Sequence, residues 1–141
     1  MKAMSNSQID FLIGRIFDHA FNRGNFTALE ESLAPDSITH VTAWGVPNNR
    51  LGLKQLIASL RLAFPDLRCT VEDNIEEGDK FAALWTMRGT NTGLLFGNRP
   101  TGKLVEIQGV IFAHIGEGQI VEHWLVIDQM TLLQQLGIVP P

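Results

Sequence analysis

The stretch V-E-I-Q-G-V-I-F-A-H-I-G-E-G-Q-I-V-E-H-W-L-V-I-D, residues 105–128, decides the fold. It alternates on both sides of Gly116-Glu117-Gly118, and alternation is the period of a strand, whose successive side chains point to opposite faces. Before the glycines, Val105, Ile107, Gly109, Ile111 and Ala113 make one set; Glu106, Gln108, Val110, Phe112 and His114 make the other. After them, Val121, His123, Leu125 and Ile127 alternate with Glu122, Trp124, Val126 and Asp128. The spacing predicts strands over 103–115 and 119–128. An odd-length hairpin loop around Gly118 would bring the two apolar sets onto one face.

Working upstream, strands are expected over 67–77 and 80–90, joined at Glu77-Gly78-Asp79. Phe81, Ala83, Trp85, Met87 and Gly89 continue the apolar set, and a Gly-rich loop from Thr92 to Gly102 leads to the third strand. Before Pro65 the period is helical. Ser5 and Gln8 have capping-box spacing and open a helix carrying Ile9, Leu12, Ile13, Ile16, Phe17, Ala20 and Phe21, which Gly24 stops. Asn25 caps a second helix, Phe26 to Leu33, which Pro35 ends. An extended piece from Ile38 to Trp44 and a turn at Pro47-Asn48-Asn49 precede a third helix over 51–64. A last helix runs over 129–136, with Asp128 as its cap and Gly137 after it. Helices followed by hairpin-connected strands predict an α+β fold with an antiparallel sheet packed against helices.

The length of 141 residues suits one domain over 1–141. Apolar residues at 45% and charged residues at 18% fit a folded chain and exclude a disordered one. A net charge of −4 with scattered Lys and Arg argues against nucleic acid as a partner. No stretch reaches the ~18 apolar residues of a membrane span, and the N-terminal M-K-A-M-S-N-S-Q-I-D has no signal-peptide core; a cytoplasmic protein is expected, without membrane contact. The single Cys69 forms no internal disulfide. The second sheet face is itself apolar at Leu84, Val110, Phe112, Trp124 and Val126, and such a patch marks an interface, here a homodimer.

Phosphate loops, dinucleotide fingerprints, nucleophile elbows and H-E-x-x-H are all absent. The four histidines lie far from one another and from Cys69, so neither a metal nor a cofactor is expected. His123 is the one ionisable side chain that the last three strands point inward. It reads either as an acid–base group able to hydrogen-bond a carbonyl or as a neutral core histidine with one partner. His40 and Trp44 share a strand face and read as a pocket mouth or as ordinary half-buried residues. Trp85 and Met87 fit a pocket wall or a core.

Ala63-Phe64-Pro65-Asp66-Leu67, the turn Glu77-Gly78-Asp79-Lys80, Trp85-Thr86-Met87-Arg88-Gly89-Thr90 and Pro100-Thr101-Gly102-Lys103 stand in collinear order with the block Gly118 to Trp124 and with Leu132-Leu133-Gln134-Gln135-Leu136-Gly137. Together they resemble the SnoaL-like polyketide cyclases, also called predicted ester cyclases. The resemblance implies the nuclear-transport-factor-like cone: a curved antiparallel sheet wrapped around helices, with an apolar pocket inside. Phe64, Ile111 and Leu125 then join His40, Trp44, Trp85 and Met87 as expected lining, and His123 matches the family's pocket pattern. The family's cyclases close a ring by aldol addition without metal or cofactor, using a carboxylate in the last strand. The position that aspartate takes is Leu125 here, the facing position is Ile111, and the histidine after the G-T pair is replaced by Asn91. Two readings follow: a protein that holds a small apolar or aromatic carbonyl compound without aldol chemistry, or a metal-independent cyclase, isomerase or dehydratase using His123.

Overall fold

The computed structural model describes residues 7–41 and 45–141. Ser5 of the expected capping box and Trp44 of the expected pocket mouth lie outside the described residues. The elements are α1 (Ser7–Gly14), continued by a π-helical segment (Arg15–Phe21), then α2 (Phe26–Ser32), β1 (Leu33–Val41) and α3 (Arg50–Ala63). After them come β2 (Arg68–Glu77), β3 (Lys80–Thr90), β4 (Leu104–Gly116), β5 (Gln119–Ile127) and α4 (Gln129–Leu136).

The helix boundaries have local chemical causes. The Asn25 side chain accepts from the Ala28 N–H at the start of α2, Asn49 accepts from Gly52 at the start of α3, and Asp128 accepts from Thr131 at the start of α4. Gly137 ends α4 in the left-handed conformation at φ 78°. The helix α2 ends at Ser32, one residue short of the expected Leu33, and Pro35 lies within the strand that follows directly. Its fixed φ suits an extended chain equally well, so β1 starts at Leu33, five residues ahead of the expected Ile38.

The sheet has five strands in the order β1-β5-β4-β3-β2. The neighbours from β2 to β5 are antiparallel as expected, but β1 joins β5 in parallel, so the sheet is mixed. One face carries the apolar sets read from the sequence: Phe81, Ala83, Trp85, Met87, Val105, Ile107, Ile111, Ala113, Leu125 and Ile127 are buried against the helices. The inner sides of the helices meet them through Ile9, Leu12, Phe17, Phe21, Leu53, Leu56 and Leu60. Phe17 and Phe21 stack at 5.3 Å, and both rings lie within 6 Å of the Trp85 ring, at 5.4 Å and 5.7 Å.

The last hairpin reaches its register by another route than an odd loop. Its turn is the two-residue Glu117-Gly118, both with positive φ, the backbone that matches the twist of two-residue hairpins. A bulge then shifts the pairing between His114 and Ile115, leaving Val121 as the extra residue. Ile120 is therefore buried in the place expected for Val121, which faces outward. Beyond the bulge His123, Leu125 and Ile127 point inward as the alternation requires.

Gly109 sits under the Trp85 indole. A Cβ there would stand 2.4 Å from Trp85 Cζ2 and 2.7 Å from the Val126 carbonyl oxygen. Gly109→Ala is expected to lower stability by about 1–3 kcal/mol, the usual cost of overpacking a closed core. Urea denaturation followed by near-UV circular dichroism checks this; an unchanged midpoint would mean that the indole moves aside freely.

Candidate functional site

Pairing of β1 with β5 sets Thr39 beside His123 and His40 beside Trp124. Because the alternation of the two strands runs in step, Thr39 and His123 face the helices while His40 and Trp124 face outward. Both inward residues are fully buried. Thr39 Oγ1 lies 3.0 Å from His123 Nε2. The other ring nitrogen, Nδ1, is buried without a hydrogen-bond partner. Around it the sheet is apolar: Ala113 pairs with His123, and Ile111 pairs with Leu125 one inward position along the same strands. Trp85 Nε1 is a second buried polar atom on this face that has no partner.

Burial drives the pKa of His123 down to about 4, with a smaller contribution from the charge of His40 across the sheet. The ring is neutral at ordinary pH. No Asp, Glu, Lys or Arg is buried among the described residues. A neutral imidazole on an apolar wall can donate or accept one hydrogen bond; no neighbouring carboxylate is placed to share a proton with it. Among the described residues there is also no group of three or more His, Cys, Asp and Glu that could hold a metal ion. Cys69 is buried and its thiol is pushed up to about 12 by desolvation, which makes it a poor nucleophile.

The other expected lining residues divide. Phe64, Trp85, Met87, Ile111 and Leu125 are all buried on the interior side. His40 is not with them. Its Nε2–H donates to Glu122 at 2.7 Å, and its ring stacks on Trp124 at 4.7 Å, on the outer face. His40 and His123 therefore belong to opposite faces. Asn91 staples the loop that follows β3: its Nδ2 donates to the carbonyls of Ala63 and Gly93, and its Oδ1 accepts from Thr101 twice. Asp66 accepts from the Thr90 N–H at 2.7 Å, a structural tie between the α3–β2 corner and the end of β3. A cleft of about 290 Å³ lies between the π-helical segment and β2. Ile13, Phe17, Cys69 and Val71 line part of it, so it reaches the ring that packs on Trp85.

Thr39 is the site residue that the sequence reading passed over. Its signal was present in the alternation of Ser37 and Thr39 with Ile38 and His40, which sets two small hydroxyls on one face of a short strand.

The buried histidine makes stability depend on pH. Unfolded, the ring titrates near its ordinary value of about 6.5; folded, it titrates near 4. Between these values the unfolded chain binds a proton that the folded chain refuses. Stability from this group is thus whole above pH 6.5 and declines as pH falls towards 4. At 1.36 kcal/mol per unit, the wild type is expected to lose about 2 kcal/mol more than His123→Gln between pH 7 and pH 5. Urea denaturation of both proteins at the two pH values measures it, and parallel losses would contradict a neutral buried ring.

Comparison with known proteins agrees with this architecture. The family model described as SnoaL-like polyketide cyclase matches residues 11–136. Similar solved structures include IdmH from Streptomyces antibioticus, a candidate polyketide cyclase, at 31% identity and TM-score 0.79, covering 94% of this chain and 99% of that one. AclR from Streptomyces galilaeus, a candidate hydroxylase, is 27% identical with TM-score 0.82, covering 96% of this chain and 83% of that one. TsrD from Streptomyces laurentii, at 24% identity and TM-score 0.84 over 96% of this chain and 99% of that one, shares the fold. No curated protein sequence matches the chain. With the family model spanning α1 to α4 over the fold and inward His123 described above, the chain belongs to the SnoaL-like polyketide cyclase family.

Proposed function

We propose that the protein holds a small, uncharged apolar or aromatic carbonyl compound on the inner sheet face, with the neutral His123 as its polar contact. The observation that carries this reading is the buried Nδ1 of His123, which has no partner and lies on a wall of Ala113, Ile111 and Leu125. A buried polar atom left unpaired costs about 1–3 kcal/mol, and a carbonyl-bearing ligand recovers that cost. Aldol cyclisation is not part of the proposal, because Leu125 and Ile111 stand where the family uses proton-transferring groups and a Leu moves no proton.

A second reading, a metal-independent cyclase, isomerase or dehydratase with His123 as its acid–base group, draws on the contact between Thr39 and His123, since a held ring is an oriented ring. The discriminating experiment titrates the wild type and His123→Leu with aromatic ketones and polyketide-like methyl esters, beside a cyclisation assay. Binding by the wild type, roughly tenfold weaker binding by the variant, and no turnover are expected; a single hydrogen bond is worth about that much. Efficient turnover would overturn the binding reading in favour of the second. Equal binding by both proteins would make His123 an ordinary core residue.

The outer sheet face is proposed as the contact between two copies of this chain. Leu84, Val110, Phe112 and Val126 are exposed there, and Trp124 is half-buried under His40. A sheet face of this kind is able to pair with itself across a two-fold axis. Sedimentation velocity at micromolar concentration is expected to show a dimer, and Val110→Asp with Phe112→Asp to show a monomer. A wild-type species of 15.6 kDa alone would remove this contact.

A further inference from the structure

His123 has one ring nitrogen engaged and one free, and which of them carries the proton decides what the free one can do. Thr39 Oγ1 is the only hydrogen-bond partner that the described residues give the ring. The hydroxyl can donate to Nε2 or accept from it. If it accepts, its own O–H is left without an acceptor among the described residues, and Nδ1 becomes an unpaired acceptor as well. If it donates, the hydroxyl proton is used, and the donor of this pair left unpaired is Nδ1–H. Either arrangement leaves one donor unpaired, so the difference lies in the acceptors: acceptance by the hydroxyl leaves the whole Nδ1 lone pair without a partner, whereas donation leaves only spare lone pairs on an oxygen already in a hydrogen bond, and this favours the arrangement in which Thr39 donates.

We infer that Thr39 is a positioning residue: its hydroxyl donates to Nε2 of His123, fixes the ring in the Nδ1–H form, and so makes His123 a neutral hydrogen-bond donor to the carbonyl or enol oxygen of the ligand. The ligand half of this assignment rests on the binding reading above; the tautomer half does not. The geometry also accounts for how the ring is held without a carboxylate. β1 brings Thr39 to His123 across a parallel pair, and the backbone N–H of Thr39 donates to the Asn48 carbonyl, which anchors the strand where the hydroxyl is needed. A donor of this kind selects an oxygen acceptor and gives nothing to a hydrocarbon of the same shape.

The test has two arms. In the first, the ring nitrogens of His123 are read by ¹⁵N NMR, with the signals assigned by their loss in His123→Gln. The wild type is expected to show protonated Nδ1 and unprotonated Nε2. Thr39→Ser is expected to keep that state and Thr39→Val to lose it. A wild-type ring protonated at Nε2, or a ring unchanged in Thr39→Val, would overturn the assignment. The wild-type spectrum decides this even if Thr39→Val fails to fold. In the second arm, 2-acetylnaphthalene and 2-isopropenylnaphthalene, which differ only by C=O against C=CH₂, are titrated against the same proteins. A preference for the ketone of about fivefold to tenfold is expected in the wild type and in Thr39→Ser, and its disappearance in Thr39→Val. A preference that persists in Thr39→Val would overturn the ligand half. Failure of both probes to bind the wild type would strike the binding reading and the ligand half with it, while the nitrogen spectrum still decides the tautomer.

Discussion

The parallel pairing of β1 with β5 is the contact on which the site depends. Thr39 and His123 lie 84 residues apart, and no hairpin can join parallel neighbours. The helix α3 and three antiparallel strands intervene before β5 returns beside β1. That return places His123 on a strand flanked on both sides, so its ring is shut away from water. One register then sets the chemistry of both faces. A slip of a single residue would exchange the faces of a strand, sending Thr39 out beside Glu122 and bringing His40 in beside His123. In the observed register the hydroxyl meets the buried ring, and His40 finds Glu122 and the Trp124 ring outside.

Desolvation outweighs every other influence on the inner face. His123 stays neutral because burial penalises its charge and no acidic group compensates. The same burial makes the unpartnered His123 Nδ1 and Trp85 Nε1 costly to the fold. The surrounding apolar burial offsets that cost: Phe17, Phe21 and Trp85 pack as an aromatic cluster, and large aromatic side chains dominate core energetics. Membership of the SnoaL-like family supplies this scaffold, but chemistry belongs to the residues mounted on it. Leu125 and Asn91 show the difference. Leu125 completes an apolar wall, and Asn91 spends its hydrogen bonds on Ala63, Gly93 and Thr101, so both positions serve the structure.

Much of this was legible from local pattern. The period-two sets of residues 81–89, 105–113 and 123–127 identify the inner face because alternation is a property of the strand itself. Caps at Asn25, Asn49 and Asp128 are equally local. What escaped was non-local or geometric. Nothing in residues 33–41 states that their partner lies at 120–125, so the sheet reads as wholly antiparallel and Thr39 as unremarked. The extra residue at Val121 shows in no composition signal, since a bulge is the outcome of two strands competing for register. The π-helical widening of Arg15–Phe21 keeps the same apolar residues buried as an α-helix would, so the sequence pattern does not distinguish them. His40 reads as pocket lining from the sequence because the facing of its strand follows only from its neighbour β5.

The absence of buried charge limits what the interior can receive. An anionic ligand entering this face would lose its hydration and meet no Lys or Arg, because none is buried among the described residues. A cationic one would meet no carboxylate, and a neutral imidazole compensates neither. A neutral ligand with a polarised oxygen pays a far smaller desolvation penalty, and one hydrogen bond from a neutral donor is enough to offset it. Replacing Leu125 by a carboxylate would change that balance at its root. A charge beside the ring would favour the imidazolium and turn a neutral donor into half of a buried ion pair. Leucine at position 125 and threonine at position 39 are therefore consistent choices: the first keeps the ring uncharged, and the second orients it without adding charge.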